Sequence, residues 1–367
     1  MGIGMMLPTL PRYVERHLGG GGLAVGFITG AFAFSAAVLR PFAGRIGDQK
    51  GRRVLVVGGS LILASSYLLY LTVDSLVPLV LLRMMSGVGE AAMFVGAATA
   101  IQDLAPDARR GEAASYFSVA VYGGLGLGPP LAEAIQRAHG YHGVWIAAAA
   151  STLLATALGW WTPVGETAPR PTGRQRLLHP AGLAPGAVLA LSLSGLAAFT
   201  GFVALYIDHH RLGDAGPVFL LYGGLILVLR ITGARLADGF GAKRTAAGAI
   251  GCIVAGMLVL SLWHARAGLY AGTTVFAIGM ALQYPALIRI VIDGAPERER
   301  SSAIATFSIF FDLSQGIGLF ALGGVVAVSG GETWAFGAAA VLSAAALILL
   351  RNVDTGEEPR SLLAQPG

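Results

Sequence analysis

The chain has 367 residues, 55% of them hydrophobic and 12% charged, with a formal net charge of +5 and a mean hydropathy of +0.69. Soluble domains carry roughly a quarter charged residues, disordered chains join low hydrophobicity to high charge, and disulfide scaffolds need more than the single Cys252. All three classes are excluded, which leaves an integral membrane protein.

A membrane-crossing helix needs about 20 mostly apolar residues, whereas a barrel strand has about ten that alternate. The long unbroken apolar runs here read as helices. At roughly 30 residues for each helix and its loop, the length allows about twelve. Residues 1–10 are apolar but too few to cross, and read as the outer end of an incomplete helix 1. Eleven spans follow, helices 2 to 12, near 22–43, 54–73, 77–100, 113–135, 144–164, 181–207, 216–236, 245–263, 268–292, 302–328 and 334–350. Of the 25 basic residues, 19 fall on one side of this alternation, Arg83 lies within a span, and only Arg12, Arg16, Arg137, Arg211 and Arg266 lie on the other side. Lys and Arg collect on the cytoplasmic side, which puts the linker 165–180, the tail 351–367 and, in a complete protein, both termini in the cytoplasm. The positive charge is thereby a topology signal that calls for no nucleic-acid partner. Arg outnumbers Lys by 23 to two in an Ala- and Gly-rich chain, which suggests a GC-rich bacterium and its cytoplasmic (inner) membrane.

Repeats are sought first because they decide architecture. The segment RPFAGRIGDQKGRR, 40–53, lies 190 residues before RITGARLADGFGAK, 230–243, and sets Arg40, Arg45, Asp48 and Gly51 on Arg230, Arg235, Asp238 and Gly241. The same offset aligns residues 103–118 with 293–308 at seven identities in sixteen, and Gly126 and Gly128 with Gly316 and Gly318. The chain therefore reads as two six-helix bundles, 1–164 and 181–350, joined by the 165–180 linker. Parallel repeats of this kind are the architecture of major facilitator transporters.

Three segments carry a resemblance to that superfamily over essentially the whole chain. GRIGDQKGRR resembles its signature loop between helices 2 and 3, LLRMMSGVGEAA is similar to its helix 4 motif, and GLGLGPP, with Gly124, Gly128 and Pro129, resembles the helix 5 motif of twelve-helix drug:proton antiporters. The closing glycine pair of that last motif is replaced by Ala132 and Glu133. The resemblance implies a major facilitator fold of two pseudo-twofold-related bundles. It also implies a conformational latch on the cytoplasmic side from Gly44, Arg45, Asp48, Gly51, Arg52 and Arg53, with Asp238 as its weaker counterpart. A carboxylate at Asp48 is favoured between cations and a helix amino end, although the basic residues alone could serve topology. In GLGLGPP the glycines let helices pack closely and Pro129 bends the helix.

Ionisable residues inside spans mark function. Arg83 and Glu90 lie seven apart on one face of helix 4, about 10 Å along its axis, and Asp312 lies about 15 Å into helix 11. Glu90 and Asp312, with Arg83 nearby, are candidates for proton coupling, because a dry carboxylate binds protons more readily; structural ion pairs or hydrogen bonds are the competing reading. Phe94, Tyr116, Tyr122, Phe199, Tyr222, Gln283, Tyr284, Phe311 and Gln315 are candidates to line the cavity. Aromatics with a few amides suit an amphipathic organic solute better than a sugar, while each ring alone could simply pack. His209 and His210, being adjacent, do not face one another and make no metal site. No nucleotide motif or catalytic constellation occurs, so no cofactor and no enzyme activity is expected. The expected function is secondary active transport by alternating access, as proton-coupled efflux of a small amphipathic drug or metabolite. Its partners are the solute, protons and the lipid bilayer, and it acts as a monomer. The alternatives are uptake or facilitated diffusion of a metabolite such as a sugar or organic acid and, more remotely, a membrane enzyme or a non-transporting truncated homologue. Helix 7 begins near Ala181, so the offset places the start of helix 1 about nine positions before Met1, and an absent amino-terminal segment of at least ten residues is expected.

Overall fold

In lipid every backbone polar group must be satisfied within its own segment, so apolar runs of this length fold as helices. The computed structural model describes residues 1–106, 109–162, 179–232, 241–296 and 299–353, and the regular structure among them is helical throughout. The helices begin with α1 (Gly2–Arg16), α2 (Gly22–Lys50), α3 (Arg52–Leu69, closed by a 3-10 turn at Tyr70–Thr72) and α4 (Leu76–Leu104). Arg110–Trp161 is helical except at Gly140, whose φ of 66° divides it into α5 (110–139) and α6 (141–161). Gly128 and Ala148 both lie against the start of α1, so the chain reverses at Gly140. Pro180–Ser192 and Ser194–His209 are separated only by Leu193 and together make α7. After them come α8 (Ala215–Thr232), α9 (Ala242–Leu262), α10 (Arg266–Asp293), α11 (Arg300–Ser329) and α12 (Glu332–Arg351).

Nine helices among the described residues are long and apolar enough to cross a membrane, Val119–Trp161 counting once; Ala215–Ile231 is a shorter apolar helix. The protein is an all-α membrane protein. α1, at 15 residues, spans about 22 Å, half the length of α7. Two boundaries differ from the sequence reading. α2 continues through Lys50, so most of the 40–53 motif is helix and Gly51 alone, at φ 89°, links it to α3. That left-handed backbone is open to glycine at little cost. Between α5 and α6 the anticipated loop shrinks to Gly140 for the same reason.

α1–α6 pack largely on one another, as do α7–α12 except α8, whose main neighbour is α5. The seams between the two groups run along α2 with α11, α5 with α8, and α1 with α7. Glycines set their closeness. A Cβ on Gly223 would stand 2.7 Å from Gly126 Cα, and one on Gly216 2.7 Å from Pro130 Cα; along α2, Gly26 meets Gly323 and Leu319 backbone in the same way.

Candidate functional site

The two ends of the bundle differ in chemistry. At the end where α1 finishes, Arg12 is 6% exposed and grips two carboxylates from distant parts of the chain. Its Nε and Nη2 donate to the two oxygens of Asp208 at 2.6 and 2.8 Å, and its Nη1 donates to Glu133 Oε1 at 2.8 Å. Arg16 adds a second cation to Asp208 at 2.7 Å. The two oxygens of Glu133 also accept the backbone N–H groups of Ala215 and Gly216, at 2.8 and 2.7 Å. These are the unsatisfied donors at the amino end of α8, where the helix dipole favours a negative charge. Each buried charge is thus matched by fork-shaped or multiple hydrogen bonds, the condition under which a buried ion pair holds rather than costs. The cluster fastens α1 and α5 to α7 and α8.

Farther out, His209 lies between Glu15, 3.3 Å from its Nε2, and Glu332, 3.0 Å from its Nδ1. Arg137 pairs with Asp214 at 3.0 Å. Sequence reasoning missed this cluster. Its signal was the short set of basic residues on the sparse side: Arg12, Arg16 and Arg137 are each held by a carboxylate from the other group, and Glu133 is the residue that breaks the helix 5 motif.

At the opposite end, Arg40 of α2 lies over the Phe94 ring, 5.2 Å from its centroid, and its Nη2 is 3.7 Å from Glu90 Oε2. Glu90 is 7% exposed and Arg83 5%. Arg83 stacks on Phe32 at 4.5 Å, so the near cation of Glu90 comes from α2 and not from its own helix. Arg230 of α8 stacks on Tyr122 of α5 at 4.5 Å. The side chains of Asp48 and Asp312, and Asp238 altogether, lie outside the described residues. Arg52 reaches Asp103 of α4 at 3.2 Å, and Arg53 donates to the Thr162 carbonyl at 2.9 Å, both contacts within α1–α6. Gly44 has open space on its Cβ side and Arg45 is exposed. Gly124 and Gly128 receive the backbone of Gly4 and Met1, while Pro129 lies within α5, one turn before Glu133.

The nominated rings and amides divide into two sets. Phe199 and Tyr222 are buried among Phe219 and Phe276, with ring centroids 4.9 to 5.5 Å apart. Tyr284 packs on Phe307, Phe94 on Phe117, and Phe311 is partly buried on the core, whereas Tyr116 is 63% exposed. The amides reach α7 near Leu193, where the helical bonds from Leu193 N–H to the Leu189 carbonyl and from Ala197 N–H to the Leu193 carbonyl are kept. Gln283 donates to Ser192 Oγ at 2.6 Å, Gln315 to the Leu193 carbonyl at 3.4 Å, and Ser314 of α11 to the Ala190 carbonyl at 2.7 Å.

A sequence profile of the Major Facilitator Superfamily matches residues 1–265 and again 191–366. The chain belongs to the major facilitator superfamily. Among its relatives, this facilitator is 28% identical over 326 residues to an uncharacterised MFS-type transporter of Salmonella typhimurium, covering 86% of this chain and 83% of that one. It is 29% identical to an uncharacterised MFS-type transporter of Burkholderia pseudomallei, over 95% and 87% of the two chains. Multidrug resistance protein 1 of Bacillus subtilis is 30% identical over 249 residues, 65% of this chain and 63% of that one. Two solved structures share the fold. A bacterial homologue of the human lysosomal transporter Spinster, inward-facing and occupied, has a TM-score of 0.75 at 15% identity over 98% of this chain and 96% of that one. The human organic anion transporter MFSD10 has 0.68 at 18%, over 95% of each. This facilitator is a multi-pass membrane protein and a secondary transporter of small molecules.

Proposed function

We propose that the chain is a proton-coupled exporter of a small amphipathic organic compound, working by alternating access between two pseudo-twofold bundles, α1–α6 and α7–α12. The observation that carries this reading is the fully satisfied ion-pair cluster of Arg12, Glu133, Asp208 and the α8 amino end, which ties the two groups together at the end where α1 finishes. Basic loops at the other end put that end in the cytoplasm, so the Arg12 cluster closes the outer side and the solute exchanges with the inside. Opening outward must break the cluster. Gly44, Arg45, Asp48, Gly51, Arg52 and Arg53, with Asp238, then form the latch of the alternate state, and Gly124, Gly128 and Pro129 form the bearing on which α5 rocks against α1.

Glu90 is the first proton carrier, with Asp312 as the second and Arg83 tuning the field. Glu90 is buried and has Arg40 on the neighbouring helix, so adding or removing its proton changes the charge balance between α2 and α4. The kinship with Multidrug resistance protein 1 of Bacillus subtilis supports export of a toxic organic compound. Everted membrane vesicles test the reading. Solute should accumulate on energisation and leave when a protonophore is added, and Glu90→Gln should abolish proton-driven accumulation while leaving equilibrative exchange. Accumulation that survives both the protonophore and Glu90→Gln removes proton coupling.

A further inference from the structure

The 190-residue repeat places Arg40 on Arg230, Phe94 on Tyr284 and Glu90 on Met280. The two arginines occupy matching positions in α2 and α8, but their surroundings differ. Arg40 has an aromatic face and a carboxylate, Phe94 and Glu90. Arg230 has the aromatic face, Tyr122, while the position of the acid holds a thioether. Among the described residues no carboxylate lies within ion-pair distance of Arg230, and its Nε–H is shielded from solvent with no hydrogen-bond acceptor. Arg230 is half-buried, and a cation in a span without a counter-charge is costly and is retained where something else supplies the charge.

The setting points to what that is. Gly223, two turns before Arg230 on the same helix face, touches Gly126, one turn from Tyr122 on α5. Arg230 and Tyr122 therefore stand where the α5/α8 seam stops being backbone against backbone. Each group contributes one of them, so a ligand held here contacts both sides of the seam. Tyr122 covers one face of the guanidinium and leaves its edge, a planar fork of N–H donors matched to two oxygens of one anionic group.

We infer that Arg230, braced by Tyr122, is the anion subsite of the transport cavity, and that the solute is an organic anion bearing a carboxylate, sulfonate or phosphate on an apolar body. This deepens the proposed transport function and rests on it. The subsite is absent from the matching place in the first bundle, where Glu90 already occupies Arg40.

The test uses everted vesicles carrying the full chain and two dyes, anionic carboxyfluorescein and cationic rhodamine 6G. The chain should move carboxyfluorescein, Arg230→Gln should lower that flux at least tenfold, and Arg230→Lys should raise its KM at least fivefold at unchanged kcat. A lysine keeps the charge over Tyr122 but loses the fork, so a purely structural arginine would leave KM unmoved and overturn the assignment even if Arg230→Gln fails to fold. Movement of rhodamine 6G alone overturns the anion inference and leaves the transport reading standing. Movement of neither dye contradicts both.

Discussion

Asp208→Asn tests how firmly the outer cluster holds the chain closed. Asp208 accepts two hydrogen bonds from Arg12 and one from Arg16. In the variant one of its oxygens becomes an NH2 group that faces N–H donors, and Glu133 is the one carboxylate left to Arg12. Breaking a buried pair by altering one partner costs about 3 to 5 kcal/mol. The lower figure suits a cluster that retains one carboxylate, and about 3 kcal/mol is roughly two decades in an equilibrium constant. Because the pairs exist only when the outer ends meet, the whole cost falls on the closed state. A closed-to-open ratio of about 99:1 would move to near 1:1. Spin labels on His142→Cys and His264→Cys, exposed positions at that end in opposite groups, read the ratio by electron–electron distance measurement in a Cys252→Ser background. The parent should give one short distance and Asp208→Asn should add a comparable longer population. An unchanged distribution at equal protein quality would refute the gate.

Three further outcomes follow from the same contacts. Gly223→Ala puts a Cβ 2.7 Å from Gly126 Cα, so it should part α5 from α8 and shift the same labels outward, whereas Gly224→Ala, with open space at its Cβ, should not. Protonated His209 donates to Glu332 of its own group and, only while the ends are closed, to Glu15 of α1 across the seam, with Asp208 and Arg16 alongside. Acidifying the outer side through the ordinary histidine range, near 6.5, should therefore strengthen closure, and His209→Ala should remove that dependence in the distance measurement. Gly51→Ala forces a side chain into φ 89° at a cost of order 1 to 3 kcal/mol, which should lower the midpoint of thermal unfolding by several degrees.

The membrane class, most spans and the repeat were legible in the sequence because each rests on local composition or on one fixed offset. The gate was not. Arg12 is 121 residues from Glu133 and 196 from Asp208, and neither separation leaves a periodic mark. Its trace lay in exceptions: basic residues on the sparse side and an acid where a motif calls for glycine. The polar contacts onto α7 were equally silent. The Ala190, Ser192 and Leu193 carbonyls also accept from Ser314, Ser343 and Gln315 on other helices, contacts with no mark in the α7 sequence. The spacing of seven positions from Arg83 to Glu90 suggested a pair on one helix, yet it is Arg40 of α2 that comes within 3.7 Å of Glu90. Periodicity gives a face, and only packing gives the partner.

Alternating access is tested most directly by locking the outer end. Arg12→Cys and Asp208→Cys, joined by a short cleavable thiol cross-linker in the Cys252→Ser chain, should stop carboxyfluorescein flux in everted vesicles, and cleaving the linker should restore it. Flux through the cross-linked chain equal to that through the cleaved one would contradict the account.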